Sequence, residues 1–220
     1  MTDINLLSVI NRAEGNLTAR ARTNARSVVV ALDGYAAQAG LDQPHRLALY
    51  LGQISHESMG FVHDREVWGP TPAQQRYDTR TDLGNTAARD GDGRKYAGHT
   101  AMQITGKANT RDFRDWCRKI DVAAPDFVAS PELMNTDPWE GLGPVWYWDT
   151  RKLNRYADAG DIEMITERIN GGLNGYKDRI DRTVRYSLAM LGRDPKDIRG
   201  FQTAAGLNAD GVAGPRTRAA

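Results

Sequence analysis

Apolar positions recur at helical spacing along most of this chain. Between residues 22 and 39, Val28, Val29, Leu32 and Tyr35 keep that spacing, and the run stops at Gly40. A second amphipathic run carries Leu47, Tyr50, Leu51, Ile54, Glu57 and Ser58. Asp42 can cap it, Pro44 falls in its first turn where a missing N–H is harmless, and Gly60 is placed to end it. Further helical patterns cover residues 107–120, 138–149, 161–169 and 176–192. Residues 69–106 instead hold eight glycines or prolines among many polar residues. They read as a long ordered loop with room for short strands, and loops of that length in a compact domain are usually functional or disordered. Trp139, Trp146, Tyr147 and Trp148 crowd one helix. Aromatics can stack on sugars, but a run this apolar reads first as core. The pattern predicts a mainly α domain over residues 1–193. After a break at 193–197 comes a tail, 197–220, where Ile198, Phe201, Leu207 and Val212 suit a short helix folded onto a turn at Asp210-Gly211. Gly214-Pro215 opens another helix.

Composition narrows the class. The 220 residues are 40% hydrophobic and 26% charged, the balance of a soluble globule with one well-cored domain. A net charge of +1 offers no basic field for nucleic acid. The single cysteine, Cys117, excludes an internal disulfide and reads as a buried structural thiol, since a nucleophile would need a positioned histidine. The segment Met1 to Leu7 lacks the basic leader and apolar core of a secretory signal. No apolar run approaches the roughly 20 residues of a membrane span. His45, His56, His63 and His99 lack ligand-like spacing, and His56-Glu57 lacks the second histidine of a zinc-protease helix. Neither metal nor cofactor is expected.

Two carboxylates carry the candidate chemistry. Glu57 lies three residues after Ile54 and seven after Tyr50, on one helix face. Partial burial there would raise its proton affinity, as a general acid needs. Glu66, among His63, Asp64 and Arg65, has charged neighbours and should stay ionised as a base, with Asp64 and Asp78 as alternative bases. A separation of roughly 6.5–9.5 Å would admit a water and invert the anomeric centre.

These residues fall in a pattern that resembles glycoside hydrolase family 19, the family of plant-type chitinases and many phage endolysins. The resemblance spans residues 20–192. His56-Glu57-Ser58-x-Gly60-Phe61 matches the segment bearing the family's general acid, so Glu57 inherits that role. Glu66 stands where endolysin members carry the general base. Tyr96-x-Gly98, with Gln103-Ile104-Thr105-Gly106 and Asn109, is similar to the family's Tyr-x-Gly-Arg-Gly-x-x-Gln-Leu/Ile-Ser/Thr segment. The match implies that Thr105 helps Glu66 place the attacking water, and that Gln103 and Asn109 bond the sugar. It also puts Tyr96 on the substrate side. Ile169-Asn170-Gly171-Gly172 and Asp178-Arg179-Ile180 match two later motifs. Asn170 would then serve substrate or water, and Arg179 would support the carboxylates at the substrate site. His99-Thr100 replaces the family's Arg-Gly, Thr110 stands where an aromatic is common, and Asn174 stands near a glutamate of plant members. With no disulfide available, the bacterial and phage branch is favoured.

The resemblance implies a lysozyme-like, mainly α catalytic domain with a long functional loop region. It implies an inverting, endo-acting hydrolase of β-1,4 bonds between amino sugars. The tail, through Gln202, Asp210-Gly211, Gly214-Pro215 and Thr217, resembles part of a helical peptidoglycan-binding module; the other reading is a packed helical extension. Together these point to peptidoglycan and to a phage endolysin acting as a monomer. Such a protein would wait in the host cytoplasm and reach the wall through a holin-type partner, without inserting into the membrane itself. The alternatives are a family chitinase, a lytic transglycosylase and an inactive glycan-binding protein.

Overall fold

A computed structural model describes residues 5–121 and 123–220. Twelve helices follow one another in these residues: α1 Leu6–Glu14, α2 Ala19–Tyr35, α3 Pro44–Glu57, α4 Pro72–Tyr77, α5 Asp92–Lys95, α6 Lys107–Ile120, α7 Trp139–Thr150, α8 Asn154–Asp158, α9 Ile162–Asn170, α10 Tyr176–Met190, α11 Ile198–Ala204 and α12 Pro215–Ala219. Short 3-10 turns lie at Thr81–Leu83 and Pro131–Asn135. The fold is mainly α, as the periodicity predicts.

Two helix pairs build the frame, α3 along α10 and α2 along α7. Both crossings are tight enough to require glycine. A Cβ on Gly52 of α3 would meet Thr183 Oγ1 of α10 at 2.3 Å, and one on Gly141 of α7 would meet the Ser27 carbonyl of α2 at 2.0 Å. Leu32, Tyr50, Leu51, Phe113, Leu142, Trp148 and Tyr186 fill the core between these pairs. Trp139, Trp146 and Trp148 are buried in it, so the tryptophans of α7 are core, as expected. Cys117 is fully buried, and burial pushes its thiol far up, consistent with an inert structural role.

Three expectations need correction. Pro44 is the first residue of α3, but Asp42 does not cap it; Gln43 holds the cap position without a side-chain bond. Residues 69–106 contain two short helices, and among the described residues no strand forms, only isolated bridges from His99 to Arg65 and to Ile104. The tail does form a helix, a turn and a second helix, but a polar side chain organises it. The Gln202 amide, almost fully buried, reaches Asp210, the Val212 carbonyl and Thr217, and accepts from Gly211 N–H, while Val212 stays exposed. Helix α1 was not among the predicted elements, although Leu6, Val9, Ile10 and Ala13 keep helical spacing behind an Asn5 cap.

Candidate active site

The helix α3 ends at Glu57, and the next four residues explain how. Ser58, fully buried, donates its hydroxyl to the Ile54 carbonyl and accepts from Phe61 N–H at 2.9 Å. Met59, Gly60 and Phe61 then take left-handed conformations in succession. Two of these are not glycine, so the turn is strained, and the buried Phe61 ring and the Asn24 bond to its carbonyl hold it. The result fixes Glu57 at a helix end, one quarter exposed.

Across from it, α10 supplies Arg179, which is completely buried. Its guanidinium is shared three ways. Nη2 donates to Glu57 Oε1 at 2.5 Å, Nη1 to Gln53 Oε1 at 2.5 Å and Nε to the Asn174 carbonyl at 3.2 Å. Among the described residues, no hydrogen bond engages Glu57 Oε2. The partly apolar setting expected for Glu57 is therefore corrected to an ionic one. The reason is tertiary: its partner lies 122 residues away in the chain. Asn174 also donates to Asn170 Oδ1 at 2.9 Å, which links the exposed end of α9 to the same arginine. Beside them, Tyr147 donates its hydroxyl to the Ile169 carbonyl and lies under the Arg151 guanidinium, 3.3 Å from the ring centre. Burial raises the Tyr147 hydroxyl, Arg151 opposes this, and Tyr147 also feels the charges of Glu57 and Arg179.

Behind Glu57, a polar network holds α1, α3 and α10 together. His56 Nδ1 meets Asp178 at 2.7 Å, and Asp178 accepts from Arg182 at 2.6 Å. Arg182 also reaches Glu14 at 2.8 Å, and Glu14 further accepts from Ser55 and Tyr186. Burial pushes Asp178 up, but the Arg182 and His56 bonds outweigh it and hold the carboxyl below its usual range.

Glu66 is held differently. Its Oε1 accepts from Gln74 Nε2 at 2.8 Å and its Oε2 from Gly98 N–H at 3.0 Å. Both oxygens accept, the bonding pattern of a carboxylate. Gln74 is aimed by the capping box of α4, in which its Oε1 accepts from Thr71 N–H at 2.7 Å. The Glu66 backbone also donates to the Gly98 carbonyl, and the next residue, His99, exchanges two backbone bonds with Ile104. Thr105, which follows Ile104, is thereby brought onto the neighbouring extended segment. Its hydroxyl donates to the Gln103 carbonyl at 2.9 Å and keeps lone pairs for a water. Asn109 donates to the Thr105 carbonyl at 2.8 Å, and Gln103, with φ of 52°, turns its amide to the Thr100 carbonyl.

A clamp ties this region down. His99 Nδ1 donates to Asn135 Oδ1 at 2.5 Å, and Asn135 Nδ2 donates to the Asp64 carbonyl at 2.7 Å. Burial lowers the His99 proton affinity, so the ring is neutral at pH 7. Thr100 is fully buried against α7, where a Cβ on Gly143 would lie 2.4 Å from its hydroxyl.

The expected roles divide in the structure. Glu57, Arg179 and Asn170 come together through Asn174, and Glu66, Thr105, Gln103 and Asn109 through the bridged segments. Tyr96 does not join them. It is 2% exposed, its hydroxyl donates to the Val128 carbonyl, and Lys95 and Lys107 lie over its ring. Its placement on the substrate side is corrected to a role inside the fold. Gln53, Gln74 and Asn135 were not singled out from sequence, and Tyr147 was read there only as part of an aromatic run; only Gln74 had a local signal, Thr71-x-x-Gln74 before a helix. The alternative bases are occupied elsewhere. Burial raises Asp64, but hydrogen bonds from Arg20 and Arg65 outweigh it and hold it below the usual range. Asp78 accepts from the backbone of Gly91 and Gly93. Among the described residues, no cluster of three or more metal-ligating side chains occurs.

A scan against protein-family models finds no match. The chain is 30% identical over 179 residues to a glycosyl hydrolase family 19 domain-containing protein of Haemophilus influenzae, covering 70% of this chain and 84% of that one. Its fold is similar to chitinase C from Streptomyces griseus, with a TM-score of 0.63 at 18% identity over 87% of this chain and 79% of that one. It is also similar to a bacterial family 19 chitinase, with a TM-score of 0.62 at 17% identity over 85% of this chain and 94% of that one. The chain belongs to glycoside hydrolase family 19 and is a glycoside hydrolase.

Proposed function

We propose that this glycosidase hydrolyses β-1,4 bonds of bacterial peptidoglycan by inversion, with Glu57 as proton donor and Glu66 as base. One observation carries the assignment: Arg179 occupies a single oxygen of Glu57, while both oxygens of Glu66 accept from fixed donors. Oε2 of Glu57 is thus the atom left open towards the glycosidic oxygen, and the arginine on Oε1 favours the charged carboxylate that remains once the proton has been given up. Glu66, an acceptor on both sides, draws a proton from the attacking water. Thr105 takes part in placing that water, Gln103 and Asn109 bond the sugar, and Asn170 serves substrate or water. Arg179 orients Glu57 and balances the charge left after proton transfer.

The biological setting we propose is wall lysis by a phage endolysin. The protein acts as a monomer on glycan strands, with access from the host cytoplasm opened by a holin-type partner. The tail, 197–220, serves as a wall-targeting segment. No described helix is long and apolar enough to cross a membrane. Chitin is the second reading, favoured by the chitinases among the similar folds.

Mass spectrometry of digested sacculi tests the reading. Reducing muramic acid ends are expected, whereas anhydro ends mean a transglycosylase. Release from chitin oligomers with none from sacculi means a chitinase. Glu57→Gln should lower turnover by roughly 10²–10⁴-fold while keeping the fold. Near-normal turnover in that variant would remove Glu57 from the chemistry.

A further inference from the structure

A groove of about 580 Å³ runs between α6 and the end of α7, and Asn109 lines it. Asn109 is the residue whose amide holds the Thr105 carbonyl, so the groove begins at the proposed water-placing segment. Its α7 side carries Trp146 and Arg151, and Arg151 lies over Tyr147, whose hydroxyl donates to the Ile169 carbonyl next to Asn170. The groove therefore adjoins residues bonded to the candidate site at both ends.

Its charges are unevenly satisfied. Asp112 and Asp115 also line it, but each is paired with an arginine of its own helix, Arg111 at 3.9 Å and Arg114 at 2.8 Å. Lys119 and Arg151 line it too, and neither forms an ion pair among the described residues. Trp116 adds an apolar wall and is held by its indole N–H, which donates to Asp149 at 3.0 Å. A trench with aromatic walls, two uncompensated cations and a polar end fits a ligand with an apolar stem and carboxylates.

Building on the peptidoglycan reading, we infer that this groove binds the acidic stem peptide carried by a muramic acid beside the cleaved bond. Lys119 and Arg151 take its carboxylates, and the half-buried Trp116 covers its aliphatic part. The groove sits beside the proposed sugar-binding Asn109, so a peptide branching from the glycan enters it while the strand stays in place. An uncharged chitin strand carries nothing to meet the two cations.

The test compares glycan strands bearing stem peptides with the same strands stripped by an amidase. The wild-type protein should prefer the peptide-bearing strands in kcat/KM by about tenfold, the order of one charge-assisted hydrogen bond. Lys119→Glu and Arg151→Gln should each shrink that preference towards unity, chiefly through KM. Lys119 is exposed, so its variant keeps the fold, which circular dichroism verifies. Equal kcat/KM on the two strands, or variants that retain the wild-type preference, would overturn the groove assignment and leave the peptidoglycan reading standing. Cleavage of chitin oligomers with none of either strand would overturn both.

Discussion

Arg179 is the residue on which the candidate site depends most. Its charge is wholly buried, and Glu57 is the carboxylate that compensates it. Arg179→Ala would leave Gln53 and the Asn174 carbonyl without their donor and Glu57 without its counter-ion. Loss of one partner of such a pair costs about 3–5 kcal/mol. The variant should melt well below wild type. Arg179→Lys keeps the charge but lacks the fork of donors, so it should melt closer to wild type and still lose kcat, because Glu57 is no longer oriented. An unchanged kcat in the lysine variant would confine Arg179 to stability. Glu57 itself was readable as a candidate from its helix face and motif. Its pairing with Arg179 was readable only through the family's Asp178-Arg179-Ile180 motif, because nothing near residue 57 in the chain announces residue 179.

Among elements, the long helices were legible, and of the shortest ones only α11 and α12 in the tail. The predicted runs at 107–120 and 138–149 fall within a residue of α6 and α7, since α6 repeats its apolar positions over several turns and α7 is an apolar run long enough for a buried helix. Helices α5 and α8 span four and five residues, less than two turns, and no period can be read from them. The loop region between α4 and α6 is fixed instead by single polar contacts. Asn135 is the most exposed to test, since it joins His99 to the backbone at Asp64 and so clamps the segment leading to Glu66. Asn135→Ala should lower kcat by about tenfold through looser placement of Glu66 and Thr105, with KM little changed. Steady-state kinetics on a soluble glycan would show it, and a wild-type kcat would mean that the clamp does not reach the chemistry.

At the scale of the whole molecule, Glu140 makes stability depend on pH. It is buried in the first turn of α7, and burial, then Asp64 and Asp137, push it up to about 7, against the opposing pull of Arg65 and Arg20. The folded protein thus holds this proton more tightly than the unfolded chain. Its stabilising contribution is complete below the unfolded pKa near 4.5 and is lost as pH rises through about 7. Thermal melts should show wild type less stable at pH 8 than at pH 5 by this group's share, roughly 2–3 kcal/mol. Glu140→Gln should narrow that gap; an unchanged gap would place the pH dependence elsewhere. The tail is the other question at this scale. Arg218 of α12 lines a small cavity of about 130 Å³ with His45, Leu49 and Thr183, so its side chain reaches α3 and α10. Removing residues 197–220 should reduce pelleting with sacculi more than hydrolysis of short soluble substrates. If the shortened protein unfolds, the tail is a packing element and not a targeting one.

Local order in the chain sufficed for the helical class, the buried aromatics of α7, the inert thiol and the two candidate carboxylates with their motifs. Each depends on neighbours within a few turns or on spacing along one segment. The fold alone decided that Glu57 faces a buried guanidinium and not an apolar wall. It alone withdrew Tyr96 into the interior and occupied Asp64 and Asp78 with structural partners. It also opened a charged groove beside Asn109. These outcomes depend on contacts between residues far apart in the chain, where the identity of the partner is set by helix crossings such as that of α3 with α10. A hydrogen bond or ion pair across such a crossing leaves no period in the sequence, so only the packed molecule reveals it.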